Sequence, residues 1–237
     1  MNVEVVAGTS AGAVFGAAYS SGRSPAEIRH LTENLDNSSL TDWRISKASF
    51  MRVDALTQWV STMARNTPIE LMQRRFGAVA AVLDTGEPVL IDKGDAGMAV
   101  RASAAVPGAM QPVESVRGLL VDGGIASLVP VRFARAMGAD VVIGVDIYCK
   151  SPRQTGGSFL TTFFQIARTQ TCLVSRAEIA EADVIIAPSV SVTDMKSAAQ
   201  RDASIRAGYD AAVLSMPAVL DLINRWSSEH SKVVLAP

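Results

Sequence analysis

Two short stretches carry residue types suited to acyl transfer: Gly8-Thr9-Ser10-Ala11-Gly12 and Asp122-Gly123-Gly124. The first fits G-x-S-x-G and stands between an apolar strand-like run, VEVVAG, and an alanine-rich helix-like run, AGAVFGAAYSSG. A serine on so sharp a strand-to-helix turn is thrust out at a helix N-terminus. There, backbone amides and the positive end of the helix dipole favour a developing oxyanion. On this reading Ser10 is a nucleophile, Gly8 and Gly12 leave the turn too tight for side chains on either side, and the Ala11 amide serves the oxyanion. The same residues also suit a purely structural role, with glycines for close strand–helix packing and Ser10 as a helix cap.

A serine nucleophile needs a base. The chain has two histidines, His30 and His230. His30 follows Arg29 on a predicted helix and reads as solvated; His230 falls in the polar run SSEHSK, which reads as a tail. The order Ser10, Asp122, His230 matches the α/β-hydrolase triad. That fold, however, places several strands before its nucleophile, and nine residues cannot hold them. Asp122 remains. It ends the strand-like run LLVD and is followed by Gly123 and Gly124. With an unperturbed pKa near 4 it is a weak base and needs a partly dry setting to work. An Asp-Gly-Gly sequence is also an ordinary turn.

The elements that must position these residues alternate. After the first strand and helix come a helix capped by Ser24 with Pro25 at its first position, and a polar loop over residues 37–52. A helix follows with Leu56, Trp59, Val60 and Met63 on one face, then a short helix in TPIELMQRRF. GAVAAVLD and PVLIDKG predict a hairpin, DAGMAVRASAAV a helix, RGLLVD a strand and VPVRFARAMG a helix stopped by Gly138. ADVVIGVDIY and DVIIAP read as buried strands around a long helix, and the segment from Asp194 to Trp226 as the closing helices. SPRQTGGS is the most linker-like stretch. Buried strands alternating with helices predict an α/β fold with a mostly parallel sheet covered on both faces, whose ligands bind beyond the carboxyl ends of the strands.

Composition narrows the function. Net charge is −1 and aromatic residues make up 5 %, so the chain has neither the basic footprint nor the stacking surface of a nucleic-acid binder. With 237 residues and 49 % apolar content, one large domain spanning 1–237 is expected. Cys149 and Cys172 are too few for a disulfide framework and read as buried thiols of a reducing, cytoplasmic compartment. The uncharged stretch from Val5 to Gly22 is neither signal nor span, because no Lys or Arg precedes it and Gly, Ser and Thr interrupt it. A phosphate loop at GTSAGA is excluded, since neither G-x-G-x-x-G nor a P-loop lysine is present.

Taken together, GTSAG and DGG with RRFGAVAAVLDTGEPVLIDKG, AVRASAAVPGAMQPV, LLVDGGIASLVPVRFARAMGADVVIGVDI and ADVIIAPSVSVTDM…IRAGYDAA resemble the patatin-like phospholipases, especially bacterial members akin to neuropathy target esterase. The resemblance spans Val3 to about Ala212. It implies a three-layer α/β/α, patatin-like fold and lipid acyl-ester hydrolysis by a Ser10–Asp122 dyad without histidine, metal or other cofactor. It makes Ser103 and Pro107, in RASAAVPG, supporting residues that shape the site. It implies a phospholipid, lysophospholipid or other acyl-ester substrate, and hence transient contact with a membrane surface. Trp43, Phe50, Met51 and Trp59 would form an apolar rim there, unless they face the core. Family members also carry a glycine-rich oxyanion loop on a strand and helix upstream of the elbow, which this sequence lacks. Three explanations stay open: a truncated enzyme, an impaired form that binds lipid or regulates, or an element supplied by another subunit. An exposed strand edge would favour self-association.

Overall fold

The computed structural model describes residues 2–33, 53–152, 159–190 and 197–231. The apolar run at its centre forms strand β2 (Arg75–Val82), buried at every residue after Arg75. Strand β1 (Val5–Thr9) lies parallel to it, in the register Val5 to Arg75 through Thr9 to Val79. Strand β3 (Pro88–Ile91) returns antiparallel as the expected hairpin. Strand β5 (Gly118–Asp122) also pairs antiparallel with β2, Asp122 lying opposite Ala80 and Leu120 opposite Val82, while β4 (Val113–Ser115) edges β5. Because β3 overlaps both β1 and β5 along β2, those two must share the other flank of β2, one after the other. Their carboxyl ends therefore meet between Val79 and Ala80, which brings the two glycine turns together.

Pleating places successive β1 residues on opposite faces of the sheet. Val6 packs into a core with helices α1 (Ala11–Ser20), α3 (Val53–Met63) and α4 (Ala96–Ser103) through Ala13, Ala17, Val60 and Val100. Ala7 packs into a second core with α5 (Val131–Ala136), through Val131 and Ala134, and with Val142 and Ala182 beside the small parallel sheet of β6 (Ile143–Val145) and β7 (Val184–Ile186). Helices cover both faces, so the architecture is a three-layer α/β/α sandwich. Helix α2 (Pro25–Glu33) begins with the expected Ser24 cap: Ser24 Oγ accepts from Glu27 N at 3.2 Å and Glu27 Oε2 accepts from Ser24 N at 2.8 Å. Two long helices close the chain, α6 (Phe159–Ile179) and α7 (Ala198–Ser231).

Several local expectations change. The sheet is mixed rather than mostly parallel, because β3, β4 and β5 pair antiparallel. TPIELMQRRF yields only a 3-10 turn at Ile69–Leu71, since β2 claims the residues from Arg75 onward. ADVVIGVDIY gives a three-residue strand with Val145 53 % exposed, not a buried one. The polar run around His230 is the last turn of α7 rather than a tail. There His230 Nδ1 lies 2.8 Å from the Trp226 carbonyl and its ring stacks on Trp226. Cys149 and Cys172 are not free thiols: they form a disulfide with Cα atoms 5.6 Å apart, and both are half-buried. Trp59 packs against the first core, whereas Trp43, Phe50 and Met51 lie outside the described residues. Among the described residues no helix is long and apolar enough to cross a membrane.

Candidate active site

Ser10 links β1 to α1 with φ 54° and ψ −118°, in the left-handed half of backbone space that side chains avoid. Such a conformation persists only where its surroundings enforce it, and here five hydrogen bonds do. Thr9 Oγ1 donates to the Ser127 carbonyl at 2.7 Å. The Ser10 N–H donates to Ser103 Oγ at 2.9 Å, and Ser103 Oγ–H in turn donates to the Val79 carbonyl at 2.6 Å. The Ser10 carbonyl accepts from Ala13 and Val14, starting the helix. Ser103 is fully buried and pins the elbow to β2 through its hydroxyl. Its supporting part is therefore specific: its hydroxyl bridges the Ser10 amide and the Val79 carbonyl. Pro107 lies on the exposed turn beyond Ala105.

The glycines divide. A Cβ on Gly8 would stand 2.4 Å from the Gly12 carbonyl oxygen, so the elbow closes only over a bare backbone. Gly12, expected to be equally confined, faces open space with nothing within 4 Å. On the other turn, a Cβ on Gly123 would lie 2.2 Å from the Val79 carbonyl oxygen, and one on Gly124 would lie 3.0 Å from Asp122 Oδ1. Gly123 thus lets the aspartate turn press against the same β2 carbonyl that anchors Ser103. Ala11 opens α1 and is exposed, and its N–H is one of the first-turn amides that have no partner within a helix.

Asp122 ends β5 and is 7 % exposed. Its N–H donates to the Ala105 carbonyl at 2.9 Å and its Oδ1 accepts from Gly124 N at 2.7 Å. Burial holds its carboxyl above the ordinary aspartate range, while hydrogen bonding from the Ser10 hydroxyl and from the Gly124 N–H pulls it partly back. The Ser10 side chain therefore faces the carboxylate. The structure brings together Ser10, Asp122, Ser103, Gly8, Gly123 and Gly124. His230 is engaged with Trp226 on its own helix and belongs to no such arrangement. The site is open rather than deep: Ser10 is half-buried, and Ala11 and Gly12 are exposed. A hollow of about 450 Å³ elsewhere, lined by Arg29, Asp202, Ile205, Arg206 and Tyr209, includes neither Ser10 nor Asp122. Among the described residues no cluster of three His, Cys, Asp or Glu side chains could hold a metal ion. Tyr148, beyond β6, is marked by no motif in the sequence; burial pushes its phenol above the ordinary range, Arg168 pulls it back and the Asp122 charge adds to the rise.

A family model for patatin-like phospholipases matches residues 1–135. The chain belongs to the patatin-like phospholipase family. Its relatives place it near the neuropathy target esterase-like branch. It is 33 % identical over 145 residues to an uncharacterized NTE family protein of Mycobacterium bovis, covering 60 % of this chain and 40 % of that protein. It is 34 % identical over 142 residues to another from Mycobacterium tuberculosis, covering 59 % and 24 %. It is 28 % identical over 153 residues to patatin-like phospholipase domain-containing protein 7 of Rattus norvegicus, covering 61 % and 11 %. The chain thus matches less than half the length of these relatives. The patatin-like phospholipases are lipid acyl hydrolases, and the segment matched here contains both glycine turns.

Proposed function

We propose that this patatin-like chain hydrolyses acyl esters of lipids, with Ser10 as nucleophile and Asp122 as base. One observation carries the reading: a serine on a strained elbow faces a buried carboxylate whose pKa is raised. A carboxylate held above the ordinary aspartate range by burial is a better proton acceptor than an exposed one. In the first step Asp122 takes the Ser10 hydroxyl proton as Oγ bonds to the ester carbonyl carbon. The resulting oxyanion lies at the N-terminus of α1, where the Ala11 N–H and the helix dipole stabilise it. The intermediate then collapses: the ester C–O bond breaks, the leaving alkoxide takes the proton from Asp122, and the acyl group stays on Ser10. Water gives a proton to Asp122 while attacking the acyl carbon. Breaking the acyl–Oγ bond then releases the fatty acid and returns that proton to Ser10.

The open site suits a substrate presented from a lipid surface, and phospholipids or lysophospholipids are the class we assign to it. The test is covalent labelling with a fluorophosphonate alongside hydrolysis of a short-chain ester. Ser10→Ala is expected to abolish both, and His230→Ala to leave both at the wild-type level. Wild-type protein that is not labelled yet binds lysolipid would instead make the site a lipid-binding one.

A further inference from the structure

Helix α6 is amphipathic the wrong way round. Polar groups fasten the side that meets the protein. The Arg168 guanidinium donates to the carbonyls of Tyr148, Ser151 and Pro152. Cys172 is bridged to Cys149, and Ser175 Oγ accepts from Leu128 N at 3.3 Å. The buried Glu178 carboxylate accepts from Arg132 N at 3.0 Å. The side turned to solvent is apolar instead. Phe159, Phe163, Ile166, Gln170, Leu173 and Ala177 are all exposed, and Phe159, Phe163, Ile166 and Leu173 are each more than half exposed. A surface helix that met only water would carry its charged residues there.

These six residues follow one another at intervals of 4, 3, 4, 3 and 4, the period of a coiled-coil seam. A single polar residue in such a seam, here Gln170, is the device that fixes register. The charged residues of α6 are Arg168 and Glu178, both turned inward, and Arg176.

We propose that this seam binds α6 of a second copy of the chain, antiparallel about a twofold axis. A twofold interface must complement itself, and antiparallel pairing achieves this. Phe159 then faces Ala177 of the other copy, Phe163 faces Leu173, and Ile166 faces Gln170, so the bulkiest position meets the smallest at either end. The two Gln170 amides fall in neighbouring layers, where each can donate to and accept from the other. The two Arg176 side chains stand at opposite ends, and no like charges meet. A bilayer matches the same face poorly. Helices that lie in a lipid surface are bordered by Lys and Arg, whereas Arg168 is tied down on the inner side, and Gln170 would enter hydrocarbon without a partner. The exposed apolar surface of the seam, with Val174 beside it, comes to roughly 600 Å². That is the upper end for one apolar patch on a monomer, and two copies together reach the ~1,200 Å² at which specific interfaces begin. Interfaces of that size are weak, so the association belongs at micromolar concentrations.

Sedimentation equilibrium of the full chain in that range is the test. Wild type is expected to show a monomer–dimer equilibrium. Ile166→Arg, which sets a charge in the middle of the seam, is expected to raise the dissociation constant at least about tenfold. Leu214→Arg, at an apolar position on α7 as exposed as Phe159, is the control and should leave the constant unchanged. Equal melting temperatures report that the variants are folded. Ala177→Phe separates the two possible directions: it crowds Phe159 in an antiparallel pair and should weaken association, whereas in a parallel pair it would fill the gap between two alanines. Wild-type protein that stays monomeric overturns the proposal. So does association of equal strength in Ile166→Arg, which would come from another surface such as the β1 edge. Unchanged or tighter association in Ala177→Phe overturns the antiparallel arrangement. A monomer that floats with phosphatidylcholine vesicles, and ceases to do so in Ile166→Arg, would give this face to lipid instead.

Discussion

Replacing Ser103 with alanine isolates what holds the elbow. The hydroxyl is fully buried, receives a hydrogen bond from Ser10 N at 2.9 Å and gives one to the Val79 carbonyl at 2.6 Å. Alanine deletes the bridge and takes this partner from both backbone groups, the Val79 carbonyl in the interior and the half-buried Ser10 amide. The Val79 carbonyl has a second lone pair, so its loss is the smaller, whereas the Ser10 amide loses its partner outright. With about 1–3 kcal/mol for an abandoned buried donor and a smaller sum for the acceptor, the total is about 2–3 kcal/mol. Ser20 supplies the control. It is equally buried, yet its hydroxyl has no partner, so Ser20→Ala removes the same atom without breaking a bond and is expected to be neutral or stabilising. Urea denaturation of the two variants gives the difference. A chain of this size should lose roughly 4–12 °C of melting temperature in Ser103→Ala. The elbow is also the nucleophile's mount, so kcat for a short-chain ester should drop on the order of 10- to 100-fold with KM little changed. Stabilities for Ser103→Ala and Ser20→Ala within about 0.5 kcal/mol of each other would refute the bridge, since surface-like substitutions already scatter that much.

Other outcomes follow from the same geometry. Gly8→Ala forces a Cβ onto the Gly12 carbonyl and should cost about 2–3 kcal/mol, whereas Gly12→Ala, with open space around it, should leave thermal stability unchanged; equal melting temperatures would count against the elbow packing. Hydrolysis should fade on acidification at a pH above that of an ordinary aspartate, because Asp122 must be ionised to accept the Ser10 proton; an acid limb at about 4 in kcat/KM would contradict this. The stability effect has the opposite sense: the folded state holds the Asp122 proton more tightly than the unfolded chain, so this group opposes folding as pH rises through its raised pKa. Asp122→Asn should therefore raise the melting temperature near neutrality. The described part of β1 pairs on one side with β2 alone, and its other edge invites a further strand; sedimentation should show association that grows with concentration, and a monomer at every concentration would reject it.

The meeting of Ser10, Asp122 and Ser103 was legible because each lies in a locally marked stretch, a glycine turn at each strand end and one hydroxyl within a recognisable block. Sheet direction was not. A strand buried on both faces reads as an apolar run whatever its partners, so the turn after β2 marked the hairpin with β3 but nothing marked the antiparallel pairing with β5. Strand β4 has three residues, two of them exposed, and so shows no alternation to detect. The closing helices expected from Asp194 to Trp226 are one helix, and α7 runs through Pro217. Val213, whose carbonyl loses its helical donor to the proline, is half exposed, and water can serve that carbonyl instead. The Cys149–Cys172 pairing joins a loop to a helix across tertiary structure, and spacing alone carries no record of that.

Strands β1 and β5 abut end to end along one side of β2, and this makes β2 the ruler for both Ser10 and Asp122. The many residues between Ser10 and Asp122 can lengthen or shorten in their loops without moving either group, provided each strand keeps its count against Val79 and Ala80. A slip of one residue in either strand would carry its group about 3.3 Å along the ruler and turn it to the opposite face. Tolerance to insertions should therefore be generous in the hairpin and loops and close to nil within three short strands.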